Sequence, residues 1–121
     1  MASMPYNINL DVKFAPLEQI DVRQLDRENE PWFNQTLTQV NDCVVRLGIL
    51  HGEFHWHKHD DEDEFFFVVE GLLLVDLEDR TVELGPKQGI TVPKGVVHRT
   101  RAPQRTTILM FEGAGVVPTG D

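Results

Sequence analysis

The sequence predicts an all-β domain, a β-sandwich or small barrel built from about eight short strands. Three observations carry this expectation. From residue 41 onward, short runs rich in β-branched and aromatic residues alternate with turn-forming residues every several positions. No stretch between those runs has the length and periodicity of a long helix. At 121 residues the chain can bury one core but not two, so it forms one domain. Strands linked by turns this short pair antiparallel.

Residues 1–40 read as an irregular N-terminal arm, polar and weakly patterned. Within it, Ala15–Ile20 is compatible with a short helical turn, and Pro31-Trp32-Phe33 is an apolar anchor for the domain's own core or a neighbouring subunit. The barrel is assigned to residues 41–121. Its expected strands are Val44–Leu50, Phe54–His59, Glu64–Val69, Leu72–Leu77, Thr81–Leu84, Ile90–Val92, Val96–Arg101 and Thr106–Phe111. Turn residues separate them: Asp60–Asp63, Glu70-Gly71, Glu78–Arg80, Gly85–Gly89, Pro93–Gly95 and Ala102–Arg105. Phe65–Val69 and Leu72–Val75 are apolar on both faces. One face can fill the barrel, and the other needs a cover from the arm or a second subunit, which predicts a homodimer.

Composition narrows the partners. A formal net charge of -9 disfavours nucleic acid and anionic membranes, both of which need basic patches to offset phosphate. Arg99, Arg101 and Arg105 lie close together in sequence but alternate with apolar and polar residues, so they read as a local patch at a pocket edge. The single cysteine, Cys43, permits no intrachain disulfide and heads an apolar run, so it is expected as a small buried strand residue in a reducing compartment. The N-terminus lacks the charged start and apolar stretch of a signal peptide, and no apolar run approaches the roughly 20 residues needed to span a bilayer. The expectation is a cytoplasmic protein.

The chemistry concentrates in the histidines. Four of the five lie in the segment His51–His59, and the fifth, His98, ends the turn Pro93-Lys94-Gly95-Val96-Val97-His98. Alternate residues of a strand share a face, so His55, His57 and His59 point one way while Phe54 and Trp56 point the other. A His-x-His pair sets two imidazoles roughly 7 Å apart at the backbone, near enough to converge on one ion. Glu64 lies five residues beyond His59, the wrong parity for that face on an unbroken strand. The turn-forming run Asp60–Asp63 reverses the chain and resets the phase, bringing Glu64 back. Gly95 supplies the backbone freedom that the second turn needs, and Pro93 closes the strand before it. Three imidazoles and a carboxylate suit one divalent transition metal ion (Fe, Mn, Ni, Co, Cu or Zn), and four protein ligands leave an octahedral shell open for water, substrate or dioxygen.

His57-x-His59, Glu64 after four residues and Gly71 after six resemble the first cupin motif, and Pro93-x-Gly95-x-x-His98 resembles the second. Gly52 stands one residue nearer His57 than is usual, and Lys87-Gln88 occupies the place of the second motif's opening glycine; neither is a ligand position. The resemblance spans roughly residues 43–112 and is to small single-domain cupins in particular. It implies a double-stranded β-helix (jelly-roll) barrel, usually a homodimer, with His57, His59, Glu64 and His98 as ligands. Members of that superfamily include dioxygenases, isomerases, lyases, decarboxylases and non-catalytic binders, so the resemblance implies fold and metal but not a reaction.

The remaining assignments follow the strand phase. His55 shares the ligand face and is the candidate proton carrier, a polar rim position being the alternative. His51 reads as a surface histidine, and Asp60–Asp63 as a solvated turn. Phe66 and Val68 share the phase of Glu64 and are candidates for lining a substrate pocket. Arg46, Arg99 and Arg101 are candidates for holding a substrate carboxylate or phosphate, against the plainer reading of exposed strand arginines. The function expected is a mononuclear-metal enzyme acting on a small organic molecule, dioxygenase-like or isomerase/lyase-like. The alternative is a non-catalytic small-ligand binder.

Overall fold

A computed structural model describes residues 6–121. Its elements are β1 (Asn7–Asn9), α1 (Val22–Glu28), β2 (Phe33–Val40), β3 (Cys43–Glu53), β4 (Glu64–Glu70), β5 (Leu73–Leu77), β6 (Thr81–Leu84), β7 (Gly89–Val92) and β8 (His98–Gly113). The strands form the jelly-roll barrel, and β8 organises it. One edge of β8 pairs with β3 along nearly its whole length, from Cys43↔Gly113 to Glu53↔Arg101. Its other edge pairs first with β5 (Leu77↔His98 to Leu74↔Arg101) and then with β4 (Glu70↔Thr107 to Glu64↔Glu112). The sheet order is therefore β1-β2-β3-β8-β4-β7, with β6 beyond β5. Two of the expected strands, Val96–Arg101 and Thr106–Phe111, merge into this single 16-residue strand. The intervening Pro103 is tolerated because the β3–β8 register breaks between Leu50 and Gly52, where the ladder requires no N–H from it.

Period-two alternation builds the interior. Phe66 and Val68 of β4, Leu73 and Val75 of β5, and Ile108 and Met110 of β8 point inward with Leu50, Leu84, Val92 and Ala102. A second cluster lies on the opposite face of β3, where Leu47 and Ile49 pack under Leu25, Phe33 and Leu37. Each large side chain so buried contributes roughly 1.5–3 kcal/mol of transfer free energy.

That second cluster corrects the reading of residues 1–40 as an irregular arm. The segment carries β1, α1 and β2, and β2 runs antiparallel to β3 for most of its length. The missing sequence signal was α1, only seven residues long, held by tertiary contacts more than by propensity. Asp21 caps it, accepting from the Gln24 amide at 3.2 Å. Arg105 of β8 donates to the carbonyls of Asp26 (2.5 Å) and Asn29 (2.7 Å), and Thr107 Oγ1 donates to Asp26 Oδ1 (2.8 Å). Upstream, Ala15–Glu18 forms a hydrogen-bonded turn, not a helical one that continues. The arm covers β3; the outer face of β4, with Phe65, Phe67 and the 40% exposed Phe111, stays open.

Two further expectations change. Phe54–His59 forms no strand but an extended segment with one bridge, His57↔His98. Cys43 is exposed, since it opens β3 at the sheet end with its side chain in the outward phase. Among the described residues, no helix is long and apolar enough to cross a membrane.

Candidate metal centre

Glu64 opens β4 and His98 opens β8, so both project into the barrel at the same end. His57 is fixed beside His98 by reciprocal backbone hydrogen bonds, N–H to carbonyl, of 2.9 Å each. His59 is held to the second turn, because its carbonyl accepts from the Gly95 amide at 2.7 Å. Asp63 Oδ1 accepts from the Lys94 amide at 3.0 Å, tying the two turns together. Gly95 has φ +81°, the left-handed conformation that the turn before His98 requires.

The result is a tight group. One ligand atom from each of His57, His59, Glu64 and His98 lies within 4.8 Å of all the others. Glu64 Oε1 stands 3.2 Å from His59 Nε2 and 3.6 Å from His98 Nε2. The Nδ1 atoms of His57 and His98 bond to the carbonyls of His55 (3.0 Å) and Val96 (2.9 Å). A carbonyl only accepts, so each Nδ1 carries the proton and each Nε2 keeps a lone pair for the centre.

Whether these residues suit a cation can be judged from their unpaired atoms. Both ring nitrogens of His59, Glu64 Oε1 and His98 Nε2 are buried without a conventional hydrogen-bond partner. Buried polar atoms normally find one, and orphans converging on a single point fit an ion. Burial pushes His57 down to about 4, which keeps its ring neutral. Burial would raise Glu64, but the imidazoles of His59 and His98 beside it hold its carboxyl well below the usual range. His59, despite burial, is raised by its bond to Glu64. An ionised carboxylate and the neutral ring of His57 are forms that bind a metal, and binding would release the proton that Glu64 favours on His59.

Behind Glu64 lies a second buried pair that the sequence reading missed. Glu112 is paired with Glu64 in the β4–β8 ladder, and Arg46 Nε stands 3.9 Å from Glu112 Oε2. Burial and the charge of Glu64 raise Glu112 far above the carboxylate range, so it is held protonated. The available signal was parity: Ile108, Met110 and Glu112 share the inward face of β8.

A cavity of about 500 Å³, its open mouth included, adjoins the group, and His57 and Glu64 form part of its wall. Phe66 lines it, as its strand phase required. Val68 does not; it is wholly buried in the core one turn of the pleat deeper. Arg46 is neither in the cavity nor exposed: its Nη2 donates to the Val116 carbonyl at 3.3 Å and its Nε faces Glu112. Arg101 also lies outside the cavity, its guanidinium bound to Asp76 at 2.6 and 2.8 Å, with Arg99 on the same carboxylate at 2.7 Å.

His55 is exposed and lies outside the cavity wall: its ring stacks on Phe54 (4.3 Å), stands 5.3 Å from the His57 ring, and its Nε2 bonds to the Thr119 carbonyl (2.7 Å). The His55 ring thus neighbours that of His57, as the strand reading suggested, but takes no part in the ligand group; the loss of strand geometry at 54–59 moves Phe54 instead. For the same reason Phe54 lies in the cavity wall and not away from it. Trp56 does face outward, beneath the Arg99 guanidinium (5.2 Å). His51 and Asp60–Asp63 are exposed as expected. The C-terminal tail closes one side of the site. Pro118 lines the cavity, and Gly120, at φ +97°, passes so near His57 that an added Cβ would come within 2.5 Å of the histidine Cβ.

Comparison with known proteins bears directly on this arrangement. The Cupin domain family matches residues 43–112, more than half of the chain. The chain belongs to the cupin family. The matched stretch of this cupin runs from β3 to the end of β8 and holds all four residues of the group. The chain is 46% identical over 80 residues to the uncharacterized protein YdbB of Bacillus subtilis (strain 168), covering 65% of this chain and 71% of that protein. A crystal structure of a cupin-2 domain containing protein from Shewanella frigidimarina superposes with a TM-score of 0.74 at 32% identity, covering 78% of this chain and 93% of that one. A mannose-1-phosphate guanylyltransferase of Sinorhizobium fredii is 32% identical over 85 residues, but the match spans only 17% of that enzyme's length.

Proposed function

We propose that this cupin binds one divalent transition metal ion through His57, His59, Glu64 and His98, and acts as a mononuclear-metal enzyme on a small organic molecule held in the adjoining cavity. The observation that carries this reading is the convergence of four ligand atoms within 4.8 Å at the wall of an open cavity. A purely structural site would be closed to solvent and ligands; one that borders a cavity keeps room for exchange. A bound ion would supply Lewis acidity, or dioxygen chemistry if it were iron. The chain's own part is to hold the carboxylate ionised, keep His57 neutral and present a largely apolar wall. His55, outside the cavity wall with its ring 5.3 Å from that of His57, could reach a substrate proton only through His57 or water in either a dioxygenase-like or an isomerase/lyase-like reaction.

The second reading is a non-catalytic binder of a small ligand, favoured by the lack of an ionisable side chain in the cavity wall beyond His57, Glu64 and Tyr6 among the described residues. Elemental mass spectrometry on protein purified without tag or added metal tests the shared premise. Near-stoichiometric metal, lost in His57→Ala, supports it; protein that neither carries nor takes up metal overturns both readings. We further propose a homodimer in which a second copy covers Phe65, Phe67 and Phe111, and a cytoplasmic location consistent with the free Cys43. Sedimentation of the wild type against Phe111→Lys tests the dimer: a monomeric variant supports it, a monomeric wild type refutes it.

A further inference from the structure

The segment that carries His57 and His59 is held from two sides. Towards the barrel it is bonded to β8 and the second turn. The Phe54 amide donates to the Thr100 carbonyl (2.9 Å), His57 and His98 exchange backbone bonds, and the Gly95 amide donates to the His59 carbonyl (2.7 Å). On the other side lie residues 116–121. The Asp121 amide donates to the Lys58 carbonyl (2.9 Å), and Asp121 Oδ2 accepts from the Asp60 amide (2.6 Å). The His55 ring donates to the Thr119 carbonyl, and Gly120 passes too near the His57 side chain to leave room for a Cβ. Two of the four ligand histidines and carboxylates thus sit between the barrel and a second layer laid over them.

That layer has a fixed root and a loose tip. Val116 is 5% exposed, and its carbonyl accepts from the buried guanidinium of Arg46 at 3.3 Å. Asp121 is exposed, so its two bonds exchange readily with water. A segment of this kind opens locally from its tip, far below the free energy of global unfolding. Pro118, between root and tip, belongs to the cavity wall, so opening would also widen the cavity mouth.

The ligand histidines give such an opening a consequence. An ion joining His57 and His59 to Glu64 and His98 would fix the surface on which residues 118–121 dock. Docked residues would in turn hold both histidines ready for the ion. Coupling between two such events is reciprocal: the factor by which metal favours docking equals the factor by which docking favours metal.

We infer that residues 116–121 form a clasp over the metal centre, with Asp121 as a positioning residue, and that clasp docking and metal binding reinforce each other. The inference rests on the proposed function, since it takes His57 and His59 as metal ligands.

The test measures both directions of the coupling on the full chain, with Zn(II) as the probe. Amide-resolved hydrogen exchange by NMR reads the clasp. The amides of Gly120 and Asp121, bonded to the carbonyls of Val117 and Lys58, should exchange about tenfold more slowly once Zn(II) is bound. Competition with a chromophoric chelator reads the metal. Asp121→Ala should weaken Zn(II) binding by about the same tenfold factor, while the metal-free variant melts as the wild type does. Asp121→Asn keeps an acceptor for the Asp60 amide and should recover most of the affinity, which a long-range effect of the lost charge would not allow. Unchanged exchange at both amides in the Zn(II)-loaded protein overturns the inference. So does full affinity in Asp121→Ala, or an asparagine variant as weak as the alanine one. Wild-type protein that binds no Zn(II) sinks the metal site and the clasp with it, whereas bound Zn(II) with an indifferent clasp sinks only the clasp.

Discussion

Replacing His98 by alanine probes the centre at its most buried ligand. The side chain is 1% exposed, its Nδ1 is committed to Val96, and its Nε2 has no use in the fold other than to face Glu64. A ligand that binds only the folded state stabilises it by about 2.7 kcal/mol when present at a hundred times its dissociation constant. Unfolding a chain of 121 residues carries an entropy of about 0.25 kcal/mol/K. Zinc at that excess should therefore raise the melting temperature of the metal-free wild type by about 11 °C. In His98→Ala the centre loses one of four ligands, and the rise should shrink to about 2 °C or less. The metal-free variant should itself melt only about 8 °C lower, since deleting one buried ring costs about 2 kcal/mol. The assay is differential scanning calorimetry with and without Zn(II), with the exposed His51→Ala as a control that keeps the full response. A His98→Ala protein that folds and still gains the wild-type increment would refute the ligand assignment.

Three further outcomes follow from the same structure. The folded-state value of His57, about 4, lies below its unfolded value, so the unfolded chain takes up this proton first as pH falls from 7 towards 4. Metal-free protein should then lose about 3 kcal/mol through His57. His59, raised by Glu64, gains stability as pH falls and offsets part of that loss; urea midpoints at pH 7 and 5 should fall more steeply in Glu64→Gln, and equal slopes would count against the pairing. Gly120→Val forces a side chain against His57 and should lift the tail, speeding release of bound Co(II) to a chelator about tenfold with little change in melting temperature; an unchanged release rate would mean the tail does not guard the site. Asp76→Asn removes the charge that four donors share, from Arg99, Arg101 and Thr81, and should cost about 2 kcal/mol, a figure reduced because both arginines are partly exposed. Metal occupancy should be unchanged, and a variant as stable as wild type would show that the cluster contributes nothing net.

Local pattern alone determined most of the barrel and the identity of the four-residue group. Alternation in β4 placed Glu64, Phe66 and Val68 on one face, and the spacing of His57, His59, Glu64 and His98 is a short-range property of turns and strands. What lay beyond that range was decided by tertiary structure. Whether a charged strand residue faces solvent or a buried partner depends on what stands across the sheet. Arg46 therefore read as exposed or substrate-binding, although Glu112, 66 residues away in sequence, holds it inside. The seven-residue helix over β3 has too little propensity to announce itself and exists because Leu25 finds Leu47 and Ile49. Phe54 entered the cavity wall, with His55 stacked on it, because the segment between β3 and β4 follows its anchors, His98 and the C-terminal tail, and not a strand's pleat. The cavity's ring-lined wall likewise gathers Tyr6, Trp32, Phe54 and Pro118 from distant parts of the chain, a composition that exists only once the barrel has closed.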